Sequence, residues 1–406
     1  MRIAQRAQRV EPFYVMELAK AASAMAAQAR EGDRPMIYLN IGEPDFTAPP
    51  AVMAAAERAI RAGRSQYTQA TGLPALREAI SGWYASRFGL NIDPSRIVVT
   101  AGASAALQLA CLALIEAGDE VLMPDPSYPC NRQFVQAAEG RAVLIPSGPE
   151  QRFQLTAQQV EAAWSSATRG VLLASPSNPT GTSIARDELE RIARFVRSRQ
   201  GVTLVDEIYL GLSYEEAYGH SALGLPDGLG DEVISINSFS KYFNMTGWRL
   251  GWLVLPPALV PAVERLAQNL FICASTIAQH AALACFEPDS LAEYERRRHE
   301  FKARRDYFIP ELNRLGLTVP VMPDGAFYAW ADVTDLCQRW GVPPPGQRPD
   351  EGGSWALAFE LMQRCQLATT PGRDFGLAAP GRYLRFSTAN AMAQLQEAVA
   401  RLEQAL

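Results

Sequence analysis

The stretch EVISINSFSKYFNMTGWRLGWLVL, residues 232–255, decides the fold. It begins and ends with apolar, β-branched runs that are typical of buried strands. Between the two runs lie several hydroxyl side chains, one lysine (Lys241) and one arginine (Arg249). In sheets that alternate with helices, ligands bind at the edge where the strands end. The stretch therefore predicts a buried sheet and places Lys241 at its ligand-binding edge.

Similar short runs recur along the first two thirds of the chain, separated by helical patterns. They are RIVVT at 96, EVLMP at 120, RAVLI at 141, GVLLA at 170, GVTLV at 201, EVISI at 232 and GWLVL at 251. This alternation predicts an α/β fold, with a mostly parallel, seven-stranded sheet covered by helices on both faces.

Beyond residue 286 the pattern changes to a long charged helix, EYERRRHEFKARRDYFIPELNRLG, followed by shorter mixed elements. We predict two domains from this change of pattern. The large α/β domain spans residues 49–285, and a small α+β domain combines residues 1–48 with residues 286–406.

Composition excludes several classes of protein. The 406 residues are 48% hydrophobic and 20% charged, with a net charge of −5, and lysine and arginine are dispersed. We therefore expect no nucleic-acid partner. The sequence has no apolar run of the roughly 18 residues that a membrane span needs. Six cysteines without a CxxC pair, and three histidines without ligand spacing, indicate no metal site and a reducing, cytoplasmic setting.

Lys241 is the first candidate for chemistry. A lysine that is partly desolvated and close to the cation Arg249 has a lowered pKa and can attack an aldehyde or ketone. The alternative is a surface lysine whose aliphatic stem alone is buried. Other groups must decide between these interpretations.

A candidate anion site supports the reactive interpretation. The segment AGASAALQLACLALIEAG, residues 101–118, predicts an amphipathic helix with Gly118 as its C-terminal signal. Gly102, Ala103 and Ser104 then present free backbone N–H groups at the helix N-terminus, where anions bind. On its own the segment could be a plain strand-to-helix turn. Ser238, Ser240 and Arg249 add phosphate donors, and a phosphate beside a reactive lysine indicates pyridoxal 5'-phosphate.

That cofactor needs a carboxylate to keep its ring nitrogen protonated. GVTLVDEIY supplies Asp206 at the end of a predicted strand, with Tyr209 in reach of the ring oxygen. A helix N-cap is the alternative role for Asp206. SPSNPTG, residues 175–181, offers the amide of Asn178 between prolines that are candidates for cis peptide bonds, although alone it would be a turn.

Ten segments together resemble fold-type I pyridoxal-phosphate enzymes of the class I/II aminotransferase family, the aspartate aminotransferase group. In chain order they are NIGEPDF at 40, YTQATGLPALREAI at 67, AGASAAL at 101, DPSYP at 125, SPSNPTG at 175, DEIY at 206, SFSKYFNMTGWRLGW at 238, PDGAFYAW at 323, PGRDFG at 371 and YLRFS at 383. The resemblance covers nearly the whole chain and implies an obligate homodimer with shared active sites.

The resemblance also implies a role for each matching residue. Lys241 would bind the cofactor covalently and, once released, move the proton between the substrate Cα and the cofactor C4′. At the cofactor ring, Asp206 would contact the nitrogen, Tyr209 and Asn178 the hydroxyl, and Tyr128 the ring face. The cofactor phosphate would be bound by Gly102, Ala103, Ser104, Ser238, Ser240 and Arg249. Tyr67 would reach the phosphate of the neighbouring subunit. Arg385 would bind the substrate α-carboxylate, with Gly42 donating a backbone N–H.

The substrate expectation rests on one departure from the pattern. Aspartate-preferring bacterial relatives often have a lysine at the position of Ser104. The N-terminal PFYVME is similar to that of members with broader specificity. We therefore expect a neutral or aromatic L-amino acid donor, with 2-oxoglutarate or pyruvate as acceptor. Phe13, Tyr14 and Arg373 are candidate specificity residues, and Asp374 to Gly376 are expected in a loop near the site entrance.

Three alternatives stay open. The same cofactor chemistry supports a carbon–sulfur β-lyase, and aspartate aminotransferase proper is a second possibility. The third is a cofactor-binding regulator with a DNA-binding domain. It needs such a domain before NIGEPDF, where 39 residues show no helix-turn-helix pattern.

Overall fold

The computed structural model describes residues 2–11, 14–28, 32, 34–345 and 352–406. The strands of this part are β1 (Ile37–Tyr38), β2 (Ile97–Thr100), β3 (Glu120–Asp125), β4 (Arg141–Pro146), β5 (Thr168–Ala174), β6 (Val202–Asp206), β7 (Ile234–Ser238), β8 (Gly251–Val254), β9 (Tyr328–Asp332), β10 (Leu367–Ala368), β11 (Thr370–Pro371) and β12 (Tyr383–Ser387).

The α-helices of the same part are α1 (Gln5–Arg9), α2 (Tyr14–Ala27), α3 (Pro50–Arg61), α4 (Pro74–Phe88), α5 (Gly102–Leu114), α6 (Pro129–Ala137), α7 (Ala157–Ala163), α8 (Arg186–Ser198), α9 (Leu229–Glu232), α10 (Val260–Leu270), α11 (Thr276–Ala282), α12 (Pro288–Arg314), α13 (Thr334–Trp340), α14 (Gly353–Cys365) and α15 (Met392–Ala405). None of these helices combines the length and the apolar character that crossing a bilayer requires.

All seven predicted runs form strands of one sheet, in the order β2-β8-β7-β6-β5-β3-β4. β8 pairs antiparallel with both of its neighbours, and the other pairs are parallel. The expected mostly parallel α/β sheet is therefore confirmed. β5 ends at Ala174, β6 at Asp206 and β7 at Ser238, so the residues that follow these strands meet at one edge.

Helix α5 follows β2, as the sequence predicts, but it ends at Leu114 and not at Gly118. Gly118 has a positive φ of 94° in the turn before β3, so the glycine marks the turn rather than the helix end. α5 is also more buried than an amphipathic surface helix, because it lies between the sheet and α10. Its N-terminus still opens at the sheet edge, which is the position that an anion site needs.

A second core gathers elements from both ends of the chain. β11, β12 and β9 form an antiparallel sheet, and β1 pairs in parallel with β10. Leu18 of α2 and Ile37 of β1 are buried here with side chains of α14 and α15. This packing supports the joining of the N-terminal segment to the C-terminal part. The domain limits at residues 48/49 and 285/286 stay a prediction.

The long charged helix α12 joins the two cores, because the first buried side chains along it pack in one core and the later ones pack in the other. Tyr294 and Phe301 pack in the core beside the large sheet, whereas Phe308 and Leu312 pack in the second core. Its arginine-rich face supplies ion pairs instead. One continuous helix therefore connects the second core to the core beside the large sheet.

We expect Phe301→Ala and Phe308→Ala each to lower the free energy of unfolding by about 3–5 kcal/mol, because each removes a fully buried ring and leaves a cavity. Lys302→Ala is the control on the same helix, where the lysine pairs with Asp306 near the surface. Its cost should stay below about 1 kcal/mol. Urea unfolding of the cofactor-free protein measures the free energy of unfolding of the three variants. An equal loss in the lysine variant and the two phenylalanine variants would contradict the role of α12 in both cores.

Candidate active site

A cavity of about 320 Å³ lies at the sheet edge, where β5, β6 and β7 end and α5 begins. It is closed by the segment around Gly42, by α2 and by Arg385 of β12. The predicted residues that line it are Gly42, Ala103, Ser104, Tyr128, Asn178, Asp206, Tyr209, Ser238, Ser240, Lys241, Arg249 and Arg385. The fold thus brings together residues that are more than 300 positions apart in the chain.

Two predicted residues lie outside the lining of this cavity. Gly102 lies against the lining residue Arg249, and a Cβ added at Gly102 would be 2.6 Å from Nη2 of Arg249. Tyr67 is 82% exposed and does not line the cavity of its own chain. Such exposure of an aromatic ring is compatible with the expected contact to a neighbouring subunit.

The amine of Lys241 is enclosed at the end of the segment that follows β7. Its Nζ donates a hydrogen bond to the carbonyl oxygen of Gly42 and lies 5.9 Å from the ring centroid of Tyr209. The pKa of Lys241 is lowered to about 8, mainly by burial, and the cations Arg385 and Arg249 contribute to this lowering. Glu43 and Asp206 act in the opposite direction. The amine is therefore much closer to neutrality at physiological pH than an exposed lysine.

Asp206 is the last residue of β6 and is 5% exposed. Burial raises its pKa to about 6, and the opposing influences are a hydrogen bond from the N–H of Ile208, at 3.1 Å, and the charge of Lys241. Pairing with a cation stabilises a buried carboxylate. A protonated ring nitrogen is a group of that kind.

The turn between β2 and α5 is shaped by Gly102, which has a φ of 82°. Because Gly102 has no Cβ, the guanidinium of Arg249 can lie against the turn. Arg249 Nη1 donates to the carbonyl of Thr246 at 3.0 Å, and the N–H of Ser240 donates to Ser238 Oγ at 3.0 Å. A helix N-terminus, an arginine and two hydroxyls therefore converge on one region, which fits a phosphate.

Arg385 of β12 is 4% exposed and held in a fixed orientation. Its Nη1 donates to Asn178 Oδ1 at 2.9 Å, and its Nη2 donates to the carbonyl of Asn40 at 2.7 Å. Its guanidinium carbon lies 4.5 Å from the ring centroid of Tyr328, and its buried Nε has no hydrogen-bond partner among the described residues. The cation is therefore oriented before any anion arrives.

The hydroxyl groups of Tyr209 and Tyr328 are 2.7 Å apart. Burial raises the pKa of Tyr209 well above its usual value, and the neighbouring Tyr328 raises it further, so the phenol stays protonated. The peptide bonds Ser175–Pro176 and Asn178–Pro179 are cis, as expected from SPSNPTG.

Several lining residues were not identified from the sequence. Tyr328 lies in the quoted motif PDGAFYAW, but its partner Tyr209 is 119 residues away and no local pattern joins them. Val15, Met16 and Ala19 of α2 form an apolar wall together with Ile41. The PFYVME segment was the signal available in the sequence for these side chains of α2.

The expected specificity residues are placed differently. Tyr14 does not line the cavity; its ring packs 3.7 Å from the guanidinium carbon of Arg373, which also contacts Trp355. Phe13 lies outside the described residues. The segment from Asp374 is near the site, as expected, but it is not an open entrance loop. Asp374 and Phe375 are each 1% exposed, and Phe375 packs against Arg385.

Comparison with known proteins identifies the family. Residues 34–402 match the family model for aminotransferase class I and II. The chain belongs to the class I and II aminotransferases. It is a pyridoxal-phosphate-dependent transaminase of fold type I, and such enzymes use amino acid and 2-oxo acid substrates. The cavity fits this cofactor, since it offers an enclosed amine, a buried carboxylate and an anion site together.

Individual relatives of this aminotransferase differ in their substrates. A valine–pyruvate aminotransferase of Mycobacterium tuberculosis is 38% identical over 99% of this chain and 97% of its own. An aspartate aminotransferase of Rhizobium meliloti is 34% identical over 98% and 95%. Among solved structures, an aminotransferase from M. tuberculosis has a TM-score of 0.90 at 37% identity, covering 100% of this chain and 98% of its own. The Thermus thermophilus aspartate aminotransferase with maleate has a TM-score of 0.88 at 30% identity, covering both chains fully.

The aminotransferase contains three lysines, Lys20, Lys241 and Lys302, which allows one pKa to be measured against internal controls. We expect an amine-reactive reagent to modify Lys241 of the cofactor-free protein with an apparent pKa of about 8, because burial and two cations disfavour its ammonium form. Mass spectrometry of the three lysine peptides across pH gives the value. An apparent pKa near 10.5 for Lys241, equal to that of an unperturbed lysine, would contradict the enclosed site.

Proposed function

We propose that this aminotransferase moves the amino group of a neutral L-amino acid, aliphatic or aromatic, to a small 2-oxo acid, with pyruvate preferred over 2-oxoglutarate. The observation that carries the proposal is the apolar wall of Val15, Met16, Ala19 and Ile41. Among the described lining residues the cations are Lys241, Arg249 and Arg385. Each of these has a role at the cofactor or the α-carboxylate, so none remains for a second carboxylate. The printed name of the M. tuberculosis relative supports the same class.

We assign the roles at the cofactor from the resemblance to the family, and the positions of the residues around the cavity support them. When bound, pyridoxal phosphate supplies an electron sink for negative charge at the substrate Cα. Lys241 would hold the cofactor and, as a free amine of lowered pKa, would move the proton between Cα and C4′. Asp206 would hold the proton on the ring nitrogen, and Tyr209 and Asn178 would donate to the ring hydroxyl. Tyr128 would lie against the ring face.

The remaining residues hold the two anionic ends. The phosphate is bound by the backbone of Gly102 and Ala103, by the hydroxyls of Ser104, Ser238 and Ser240, and by Arg249. Arg385 binds the α-carboxylate of the substrate, and the N–H of Gly42 assists it. A Cβ at Gly42 would lie 2.7 Å from the hydroxyl of Tyr328, so this close approach requires glycine.

A homodimer is part of the proposal. Tyr67 is 82% exposed, and Leu270 and Ile272 are about half exposed. The hydroxyl of Thr276, four residues after Ile272, donates a hydrogen bond to the carbonyl of Gln66, which joins this segment to the one that carries Tyr67. Exposed apolar side chains on a segment joined to that of a tyrosine assigned to the neighbour's phosphate support a shared site. Light scattering at micromolar concentration should give the mass of two chains, and a monomer that turns over at full rate would reject the shared site.

Arg385→Ala should raise the KM for the amino acid about 10- to 150-fold, because it removes charge-assisted hydrogen bonds to the α-carboxylate. Retention of the cofactor should change far less, since Arg385 does not contact the phosphate site. Arg382→Ala is the matched control, because this arginine of the same region pairs with Asp332 at the surface. Steady-state kinetics and dialysis of the bound cofactor measure both. A loss of bound cofactor that accompanies the rise in KM to a similar extent would contradict the assignment.

Turnover of single donors tests the substrate class. With pyruvate as acceptor, kcat/KM for valine should exceed that for aspartate at least about tenfold, because a second carboxylate would lose hydration without gaining a paired cation. Alanine formed from pyruvate, measured by chromatography, gives the rates. A preference for aspartate would favour aspartate aminotransferase proper. Release of pyruvate and ammonia from cysteine without an acceptor would favour the carbon–sulfur β-lyase.

A cation placed on the apolar wall should shift this preference. Met16→Arg is expected to lower kcat/KM for valine and to raise kcat/KM for aspartate about tenfold, through a new ion pair with the distal carboxylate. Met322→Arg is the control, because Met322 is similarly exposed (45% against 56%) but lies outside the cavity lining. The same chromatographic assay applies. An identical specificity for both variants would remove α2 from the substrate pocket.

A further inference from the structure

Asp374 is a buried carboxylate that the proposed chemistry leaves without a role. It is 1% exposed, lies at the end of the short helical turn Gly372–Asp374, and does not line the cavity. One of its carboxylate oxygens, Oδ2, has no hydrogen-bond partner among the described residues. A buried charge of this kind is costly unless its surroundings compensate for it. Its neighbours therefore indicate what it does.

The other oxygen of Asp374 contacts the first turn of α2. The N–H of Tyr14, the first residue of that helix, donates to Oδ1 at 3.1 Å, and the nearby backbone N–H of Val15 contributes to lowering the pKa of the carboxylate against the effect of burial. The first N–H groups of a helix have no partner within the helix, and a carboxylate there both accepts their hydrogen bonds and complements the helix dipole. Asp374 thus caps α2 from a part of the chain 360 residues away.

Two arginines hold the same junction. Arg373 lies with its guanidinium carbon 3.7 Å from the ring centroid of Tyr14. Arg132 donates to the backbone carbonyl of Asp374 at 3.2 Å and pairs with Glu11 at 3.5 Å. The start of α2 is therefore fixed to the segment that carries Asp374 by a cap and a cation–π contact, and Arg132 of α6 links the same segment to Glu11.

The helix that is fixed in this way is a wall of the substrate pocket. α2 turns Leu18 and Ala22 into the second core, and it lines the cavity with Val15, Met16 and Ala19. Val15 directly follows the capped residue Tyr14. A displacement of the first turn would therefore move the side chains that face the donor, whereas Arg385 is held by separate partners on Asn178 and Asn40.

We propose that Asp374 is a positioning residue that caps α2 and thereby sets how tightly the pocket binds the side chain of the amino donor. The inference rests on the proposed function for the choice of donors. Loss of the cap lowers the fraction of molecules whose α2 is in place, and the KM rises by the reciprocal of that fraction. Donors with large side chains depend on the wall, but alanine, whose side chain is one methyl group, depends on it little.

Electrostatic support of Arg385 is the competing role, since the two charges interact. The two roles predict different results. Every donor has an α-carboxylate, so a change at Arg385 affects valine and alanine equally. Asparagine keeps an acceptor oxygen at the helix N-terminus but has no charge. Asp374→Asn therefore leaves a capping role nearly intact and removes an electrostatic one.

The experiment compares Asp374→Ala and Asp374→Asn with Asp93→Ala in the cofactor-loaded enzyme. Asp93 is the control, because it also caps a helical turn, through the N–H of Ser95, and is not one of the residues that line the cavity. Hydrogen exchange of residues 14–27 is measured without substrate, and KM and kcat are measured for valine and alanine. Dialysis gives cofactor retention.

For Asp374→Ala we expect faster exchange in residues 14–27 and a KM for valine raised about 3- to 30-fold, the range that loss of a helix cap implies. The KM for alanine, kcat and cofactor retention should change less than about twofold, and Asp374→Asn and Asp93→Ala should resemble the wild type. Equal rises of KM for valine and alanine, or unchanged exchange in Asp374→Ala, overturn the proposal.

A second variant and a second donor cover the cases in which Asp374→Ala does not fold or valine is not accepted. If Asp374→Ala does not fold, Arg373→Met releases the Tyr14 ring from the same junction and should give the same valine-selective rise; an unchanged ratio of the two KM values overturns the proposal. If valine is not a donor but another neutral amino acid is, the KM of the largest accepted neutral donor is set against that of alanine. If no neutral amino acid is a donor, the proposed function fails, and the hydrogen-exchange result still decides whether Asp374 caps α2.

Discussion

The enclosure of one amine at the end of a buried strand is the constraint on which the rest of the site depends. Lys241 loses hydration there, lies near the cations Arg385 and Arg249, and makes one hydrogen bond to the carbonyl of Gly42. The lowered pKa of this lysine depends on the positions of these neighbours, so the surrounding structure must hold each of them in place. The parallel strands do so from below, because β6 and β7 end side by side and bring Asp206 to the same edge.

The second core completes the enclosure from above. Helix α12 reaches over the segment that carries Gly42, and its fully buried Arg304 makes two hydrogen bonds to the carboxylate of Asp45, at 2.8 and 2.9 Å. Arg297 of the same helix donates to the carbonyl of Thr47 at 2.6 Å. β12 contributes Arg385, so neither core alone forms the cavity. The substrate end and the cofactor end of the site are therefore built by different parts of the fold and joined by one helix.

Local patterns predicted the strands and the residues that follow them, because the signals for a buried strand and for its end lie in consecutive residues of the sequence. Lys241, Asp206 and the α5 N-terminus were found in this way. The contact of Tyr328 with Tyr209 and the cap of Asp374 on α2 could not be found, since each joins segments that come together only in the folded chain. The end of α5 was misplaced because Gly118 serves the following turn.

The presence of only three lysines permits a direct test of the central claim, which is that Lys241 alone holds the cofactor. The cofactor-loaded enzyme is reduced with borohydride and digested. Mass spectrometry then measures the masses of the peptides that contain the three lysines. The account predicts the added mass of the reduced cofactor on the peptide that contains Lys241, and unmodified peptides for Lys20 and Lys302. Cofactor mass on either of those two lysines, or on none of the three, would contradict the account.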